Sequence, residues 1–292
     1  MQLANLQTDQ GFYALLGIDQ IEDLALLFGL DWQDRQTAYQ LEALIEIIFS
    51  NLATSASAVI FDPRHYLSIL TRDERLAAAT NCLFRLQLQP AGKLDLLQIL
   101  PDWGVEFVRN NYGVAQLTFY YHPQEKMALE KKKFLAEIFD FCHFEGVDLA
   151  VDLRIISPDG QKVHPDVLPE IQLAALQELR RLADLWILQY PGNSLAAATI
   201  TAELDNDWLL TPDGEKSYQK FKENLRDSLD NGAKGFVARQ LLWSEAGNLR
   251  NQDQTISFDR LDNFFQTTIR DRMIELRRIV DEAADRQDET AE

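Results

Sequence analysis

Residues 183–191 read Ala183-Asp184-Leu185-Trp186-Ile187-Leu188-Gln189-Tyr190-Pro191, an apolar run of strand length stopped by Pro191-Gly192-Asn193. A run that is apolar at nearly every position suits a parallel strand covered on both faces. Helical patterns flank it, over 165–182 before and 194–204 after. It is one strand of a β–α series, and by count the sixth.

Working outward gives the rest of the series. Strands are expected at 13–19, 57–61, 82–87, 114–121, 147–153, 184–190, 208–211 and 235–239. The clearest is Val114-Ala-Gln-Leu-Thr-Phe-Tyr-Tyr121, rich in β-branched and aromatic residues. Helices fall between them, over 34–52, around 68–79, 94–112, 125–145, 217–231 and 258–284, and 24–30 is helical or loop-like. Pro101 and Gly104 break the helix over 94–112, and Gly146 and Gly232 close the helices before them. The triple lysine 131–133 reads most simply as a solvated helix face.

Strict alternation over eight units predicts an α/β fold, a closed (β/α)₈ TIM barrel forming a single domain over 1–284, with a polar C-terminal tail at 285–292. An open doubly wound sheet competes, but no Gly-x-Gly-x-x-Gly turn follows any strand.

The chain of 292 residues carries 28 Lys and Arg against 46 Asp and Glu, a formal net charge of −18. So acidic a chain repels phosphate polymers and anionic bilayers at long range, which argues against nucleic-acid and membrane partners. No apolar stretch approaches the ~20 residues of a membrane span, and the first ten residues carry no export pattern. Cys82 and Cys142 fit two buried thiols in a reducing compartment, and a cytoplasmic location is expected.

In a TIM barrel, chemistry sits at the C-terminal strand ends. That rule selects Asp19 and Gln20, Asp62 and Arg64, Arg85 and Gln87 from the first three strands. It adds Gln116, Thr118 and His122 from strand four, Asp152 and Arg154 from five, Gln189 from six, Thr211 from seven, and Arg239 and Gln240 from eight. Asp19, Asp62 and Asp152 at one mouth could hold a divalent cation or act as acid and base. The plainer alternative is that each caps the loop or helix after its strand. The four histidines lack zinc spacing, and there is neither a nucleophile elbow nor a P-loop.

Taken in order, the strand ends resemble the class I tagatose-1,6-bisphosphate aldolase family, Schiff-base aldolases on a (β/α)₈ barrel. The similar stretches are Ala14-Leu-Leu-Gly-Ile-Asp19-Gln20, Ala58-Val-Ile-Phe-Asp62-Pro63, Leu117-Thr-Phe-Tyr-Tyr-His-Pro123 with the lysines 131–133, 184–191, and Gly232-Ala-Lys-Gly-Phe-Val-Ala-Arg239 with Trp243. The resemblance implies catalytic roles for Asp19 and Asp152. It implies substrate contacts from Gln20, Asp62, Gln116, Gln189, Thr211 and Arg239, the last as the phosphate-binding arginine. It requires no cofactor.

The departures fall on the family's chemistry. The imine lysine of strand six corresponds to Ile187, its neighbouring carboxylate to Gln189, the strand-four lysine to Gln116 and the arginine after Asp19-Gln20 to Ile21. Isoleucine offers no amine, and loss of a covalent nucleophile lowers a rate by up to about a million-fold. Without those lysines the mouth is expected to be acidic, disfavouring a bisphosphate unless a metal is bound.

Three readings follow. The first is a degenerate aldolase acting as a binding, regulatory or assembly protein, with a protein partner or a homo-oligomer. The second is an active lyase or isomerase on a sugar-phosphate-like molecule, using the acidic residues and a divalent metal. The third is a Schiff-base aldolase whose lysine lies elsewhere; Lys162, in the loop after strand five, could in principle reach the mouth.

Overall fold

The computed structural model describes residues 2–35, 37–72, 74–88 and 95–291. Eight parallel strands close into a barrel: β1 Tyr13–Gly17, β2 Ala58–Phe61, β3 Cys82–Arg85, β4 Val114–Tyr121, β5 Leu149–Ile155, β6 Leu185–Leu188, β7 Trp208–Leu210 and β8 Gly235–Ala238. Each pairs with its sequence neighbours, and β1 closes the ring by pairing with β8 from Tyr13↔Gly235 to Leu16↔Ala238. The eight expected strands all form, each within a few residues of its expected bounds.

Helices α1 Ile21–Leu27 and α2 Ala38–Leu52 follow β1, and α3 Pro63–Arg72 and α4 Glu74–Ala78 follow β2. Then come α5 Val105–Asn110, α6 Ala128–Phe144, α7 Leu168–Leu179, α8 Ser194–Glu203, α9 Tyr218–Asp230, α10 Phe258–Phe264 and α11 Arg270–Ala291. Local chemistry sets several boundaries. The side chains of Asn193 and Ser217 accept hydrogen bonds from the backbone N–H groups of Ala196 and Lys220, capping α8 and α9. Gly232, at φ +100°, ends the turn after α9 in a conformation that disfavours a side chain.

The sequence expectation fails most between β3 and β4. Instead of one strand to Gln87 and a long helix, Gln87–Leu88 pairs antiparallel with Gln98–Ile99, and helix is confined to α5. Pro101, and Asp102 in a left-handed conformation at φ 64°, hold the chain out of helix there. Leu94, where that helix was expected to start, lies outside the described residues. At the other end, the helix expected over 258–284 is interrupted by a π-helical turn, Phe265–Ile269, and continues to Ala291.

The strands bury both faces, so their core divides in two. Residues Ala14, Leu16, Val59, Phe61, Trp186, Leu188 and Trp208 face the helix layer. The alternate residues Leu15, Ile60, Leu83, Val114, Leu185, Ile187, Leu209 and Val237 fill the barrel, and Leu3 and Leu6 pack beneath them. No helix among the described residues is long and apolar enough to cross a membrane. Both cysteines are buried free thiols.

Candidate active site

Period-two alternation carries each inward face from apolar to polar as the strand nears its C-terminal end. Ile60 is followed by Asp62, Leu83 by Arg85, Val114 by Gln116 and Thr118, Ala150 by Asp152 and Arg154, Leu209 by Thr211, and Val237 by Arg239. Buried polar and charged side chains therefore collect at one mouth, above an apolar floor. Ile187 belongs to that floor: it is fully buried and registered between Asp152 of β5 and Leu209 of β7.

The mouth carries two guanidinium–carboxylate clusters. In the first, Arg85 donates from Nη1 and Nη2 to both oxygens of Glu22 (3.0 and 3.2 Å) and from Nη2 to Asp62 Oδ2 (2.6 Å). Arg64 donates to the same aspartate from its backbone N and Nε (3.0 and 2.9 Å to Oδ1) and from Nη2 (2.5 Å to Oδ2). Burial pushes the Asp62 carboxyl up, but its bonds to Arg64 and the charge of Arg85 outweigh that and hold it below the ordinary range.

In the second cluster, Asp152 Oδ2 accepts from Arg239 Nη1 (2.6 Å) and Arg154 Nη2 (2.7 Å). Both arginines also reach Asp213, whose Oδ2 accepts from Thr211 Oγ1 at 2.5 Å. Burial raises Asp213 as well, and the two guanidiniums more than reverse it. Gln189 Nε2 donates to the Asp213 carbonyl at 3.3 Å.

Asp19 stands apart. Its side chain is fully buried, Arg239 Nη2 approaches no closer than 3.6 Å, and neither carboxylate oxygen has a hydrogen-bond partner. Burial dominates over the charges of Arg239 and Arg85, so the Asp19 carboxyl is shifted upward. Asp23 is raised too, by burial and by the neighbouring carboxylates of Asp213 and Glu22. Gly17 makes room here, because a Cβ on it would lie 2.8 Å from Arg239 Nε.

The mouth is formally acidic, as expected, with six carboxylates (Asp19, Glu22, Asp23, Asp62, Asp152 and Asp213) to four arginines, but most of those carboxylates are paired. Four arginines, Arg64, Arg85, Arg154 and Arg239, supply the positive charge that the absent lysines would have carried. Asp19, Asp62 and Asp152 do not share a point in space for a cation, since guanidiniums stand between them. Among the described residues no group of three His, Cys, Asp or Glu side chains is disposed to hold a metal ion.

The remaining predicted residues divide. Gln116 is buried inside the barrel, with Nε2 3.3 Å from Thr118 Oγ1 and Oε1 unpartnered. Gln20 and Gln240 line a 20 Å³ cavity with Gly17, Arg239 and Trp243. Gln87 is buried in the hairpin after β3. His122 instead shapes the β4–α6 turn: its backbone N–H donates to Glu125 and its Nδ1 accepts from the Gln124 N–H. Lys162 is exposed, opposite Ile156 in a two-residue bridge. The triple lysine is not uniformly solvated either, because Lys131 is buried and donates to Glu125 Oε2 (2.9 Å) and to the Tyr120 carbonyl (3.0 Å).

Sequence reasoning passed over Glu22 and Asp23, and met Asp213 only as part of the loop 210–214. Asp213 was legible, since it lies in the loop directly after β7, but within Pro212-Asp213-Gly214 it reads as a turn residue. Glu22 and Asp23 sit in the first turn of α1, where carboxylates are ordinary helix-start residues.

No protein-family model matches this chain, and no curated protein sequence does. Solved structures are similar in fold. One is a Schiff-base-forming fructose-1,6-bisphosphate aldolase, 15% identical, covering 96% of this chain and 98% of its own, at a TM-score of 0.64. An archaeal fructose-1,6-bisphosphate aldolase is 15% identical over 96% and 97% of the two chains, at 0.62. A protein from Corynebacterium glutamicum is 14% identical over 94% and 87%, at 0.66. The chain therefore has the fold of class I aldolase-like TIM barrels.

Proposed function

We propose that this protein is an aldolase-like barrel that does not work through a Schiff base, and that its mouth binds a small sugar-phosphate-like molecule in a binding, regulatory or assembly role. One observation carries the reading. The strand-six position matched to the imine lysine is Ile187, buried in the apolar floor of the barrel. Among the described residues, every ion pair to a mouth carboxylate comes from an arginine rather than a lysine. Guanidiniums recognise phosphate oxygens in pairs but are not amine nucleophiles. No organic cofactor is needed for such a role.

Borohydride reduction with dihydroxyacetone phosphate tests the first half. Intact-mass measurement should find the protein unmodified, and a mass increase on any lysine overturns the reading. Melting curves with sugar phosphates test the second. A stabilising shift that is lost in Arg64→Ala supports the site; no shift with any of them removes the small-molecule reading.

A second reading rests on Asp19. A buried carboxyl with a raised pKa is equipped to give or take a proton, as a lyase or isomerase on a sugar-phosphate-like substrate requires. In that case the wild type exchanges a substrate C–H proton with deuterated solvent, while Asp19→Asn binds the same molecule without exchange. A divalent metal belongs to this reading only if Mg²⁺, Mn²⁺ or Zn²⁺ raises the melting temperature and Asp62→Ala abolishes the effect.

A further inference from the structure

Away from the mouth, α6 and α7 enclose a groove of 460 Å³ on the outer wall of the barrel. Its apolar lining comes from Leu129, Ala136 and Leu182, and Leu129 is 60% exposed. Its rim is cationic, with Lys132 and Lys133 on one side and Arg180 and Arg181 on the other. Lys132 is 4.0 Å from Glu178 and Arg180 is 3.8 Å from Glu203. Lys133 and Arg181 are exposed and have no ion-pair partner among the described residues. Lys133 and Arg181 thus add unpaired positive charge to the rim on a chain of net charge −18.

The complementary surface is on the same chain. Over residues 281–287 of α11 the carboxylates are Asp281, Glu282 and Asp285, beside one arginine, Arg286. Glu282 and Asp285 are exposed there. Yet α11 follows β8 and packs on α9 and β1, whereas the groove flanks β4 and β5, nearly opposite in the closed ring. One chain cannot bring the two together.

We propose that the α6–α7 groove receives the acidic C-terminal end of α11 from a second copy of this chain. The contact is head-to-tail: groove and helix end are different patches, so each molecule offers one of each. Such a contact builds rings or open chains rather than a two-fold dimer. Being electrostatic at an exposed rim, it weakens as salt screens it.

Sedimentation velocity on the 292-residue chain tests this directly. At low salt the wild type should sediment as multiples of the 33.5 kDa chain, and high salt should return it to one chain. Lys133→Glu/Arg181→Glu and, separately, Glu282→Lys/Asp285→Lys should each be single chains at low salt. Mixed together, the two double variants should associate again, since each reversed groove then meets a reversed helix end. A wild type that is monomeric at low salt, double variants that still associate, or a mixture that fails to recover each overturns the proposal. Circular dichroism melts of both variants show whether they are folded.

Discussion

Gly17 owes its identity to Arg239 rather than to its own backbone. A methyl group there would stand 2.8 and 3.0 Å from Nε and Cγ of Arg239 and 3.2 Å from Asp19 Oδ1. Gly17→Ala must push the guanidinium off Asp152, and overpacking of this kind costs about 1–3 kcal/mol. Urea unfolding checks it; an unchanged midpoint would show that Arg239 has another place to go. Asp19 makes the opposite kind of prediction. Its folded-state pKa lies above the unfolded one, so the native state holds the proton more tightly and stability falls as pH rises past the ordinary carboxylate value of about 3.9. Asp19→Asn removes that burden. The variant should be more stable than the wild type at pH 7, and its advantage should shrink towards pH 4; an advantage constant with pH would refute the assignment.

At the scale of elements, the β4–α6 connection shows how a motif can mislead. Three consecutive lysines on a helix suggest solvent, yet a helix turns 100° per residue, and three neighbours cannot share one face. Lys131 points at the barrel. There it bonds Glu125 and the carbonyl of Tyr120, with 2% and 1% of the two side chains exposed. Lys131→Met strands the Glu125 charge in the interior, a loss of about 3–5 kcal/mol. Lys131→Met/Glu125→Gln should recover much of it, as read by chemical denaturation, whereas equal losses in the single and double variants would mean the pair is not coupled. The β3–β4 connection misled differently. Its apolar spacing was compatible with helix, but Pro101 and the left-handed Asp102 confine helix to six residues.

Across the whole molecule, charged side chains from six of the eight strand ends meet at one mouth, where arginines pair with most of the carboxylates. Asp62 and Asp213 are both held below the ordinary carboxylate range by arginines. Their contribution to stability is therefore complete above about pH 4 and is lost as the pH falls through their lower folded-state values. Acid unfolding should be steep there, and Asp62→Asn should flatten that limb of the stability curve; an identical limb would place the acid sensitivity elsewhere.

What the sequence determined by itself was the barrel and the roster of its mouth. Strand order, closure and inward position follow from period two and β–α alternation, which are local properties of the chain. So does the isoleucine at residue 187. What only the tertiary structure decided was pairing. Arg85 finds Glu22 across 63 residues and Arg239 finds Asp152 across 87, and no local pattern encodes which charge meets which. Those pairings hold four arginines among the carboxylates of the mouth and leave Asp19 buried without a hydrogen-bond partner. Desolvation and Coulomb energy depend on distances through space, and those are fixed only when the ring closes.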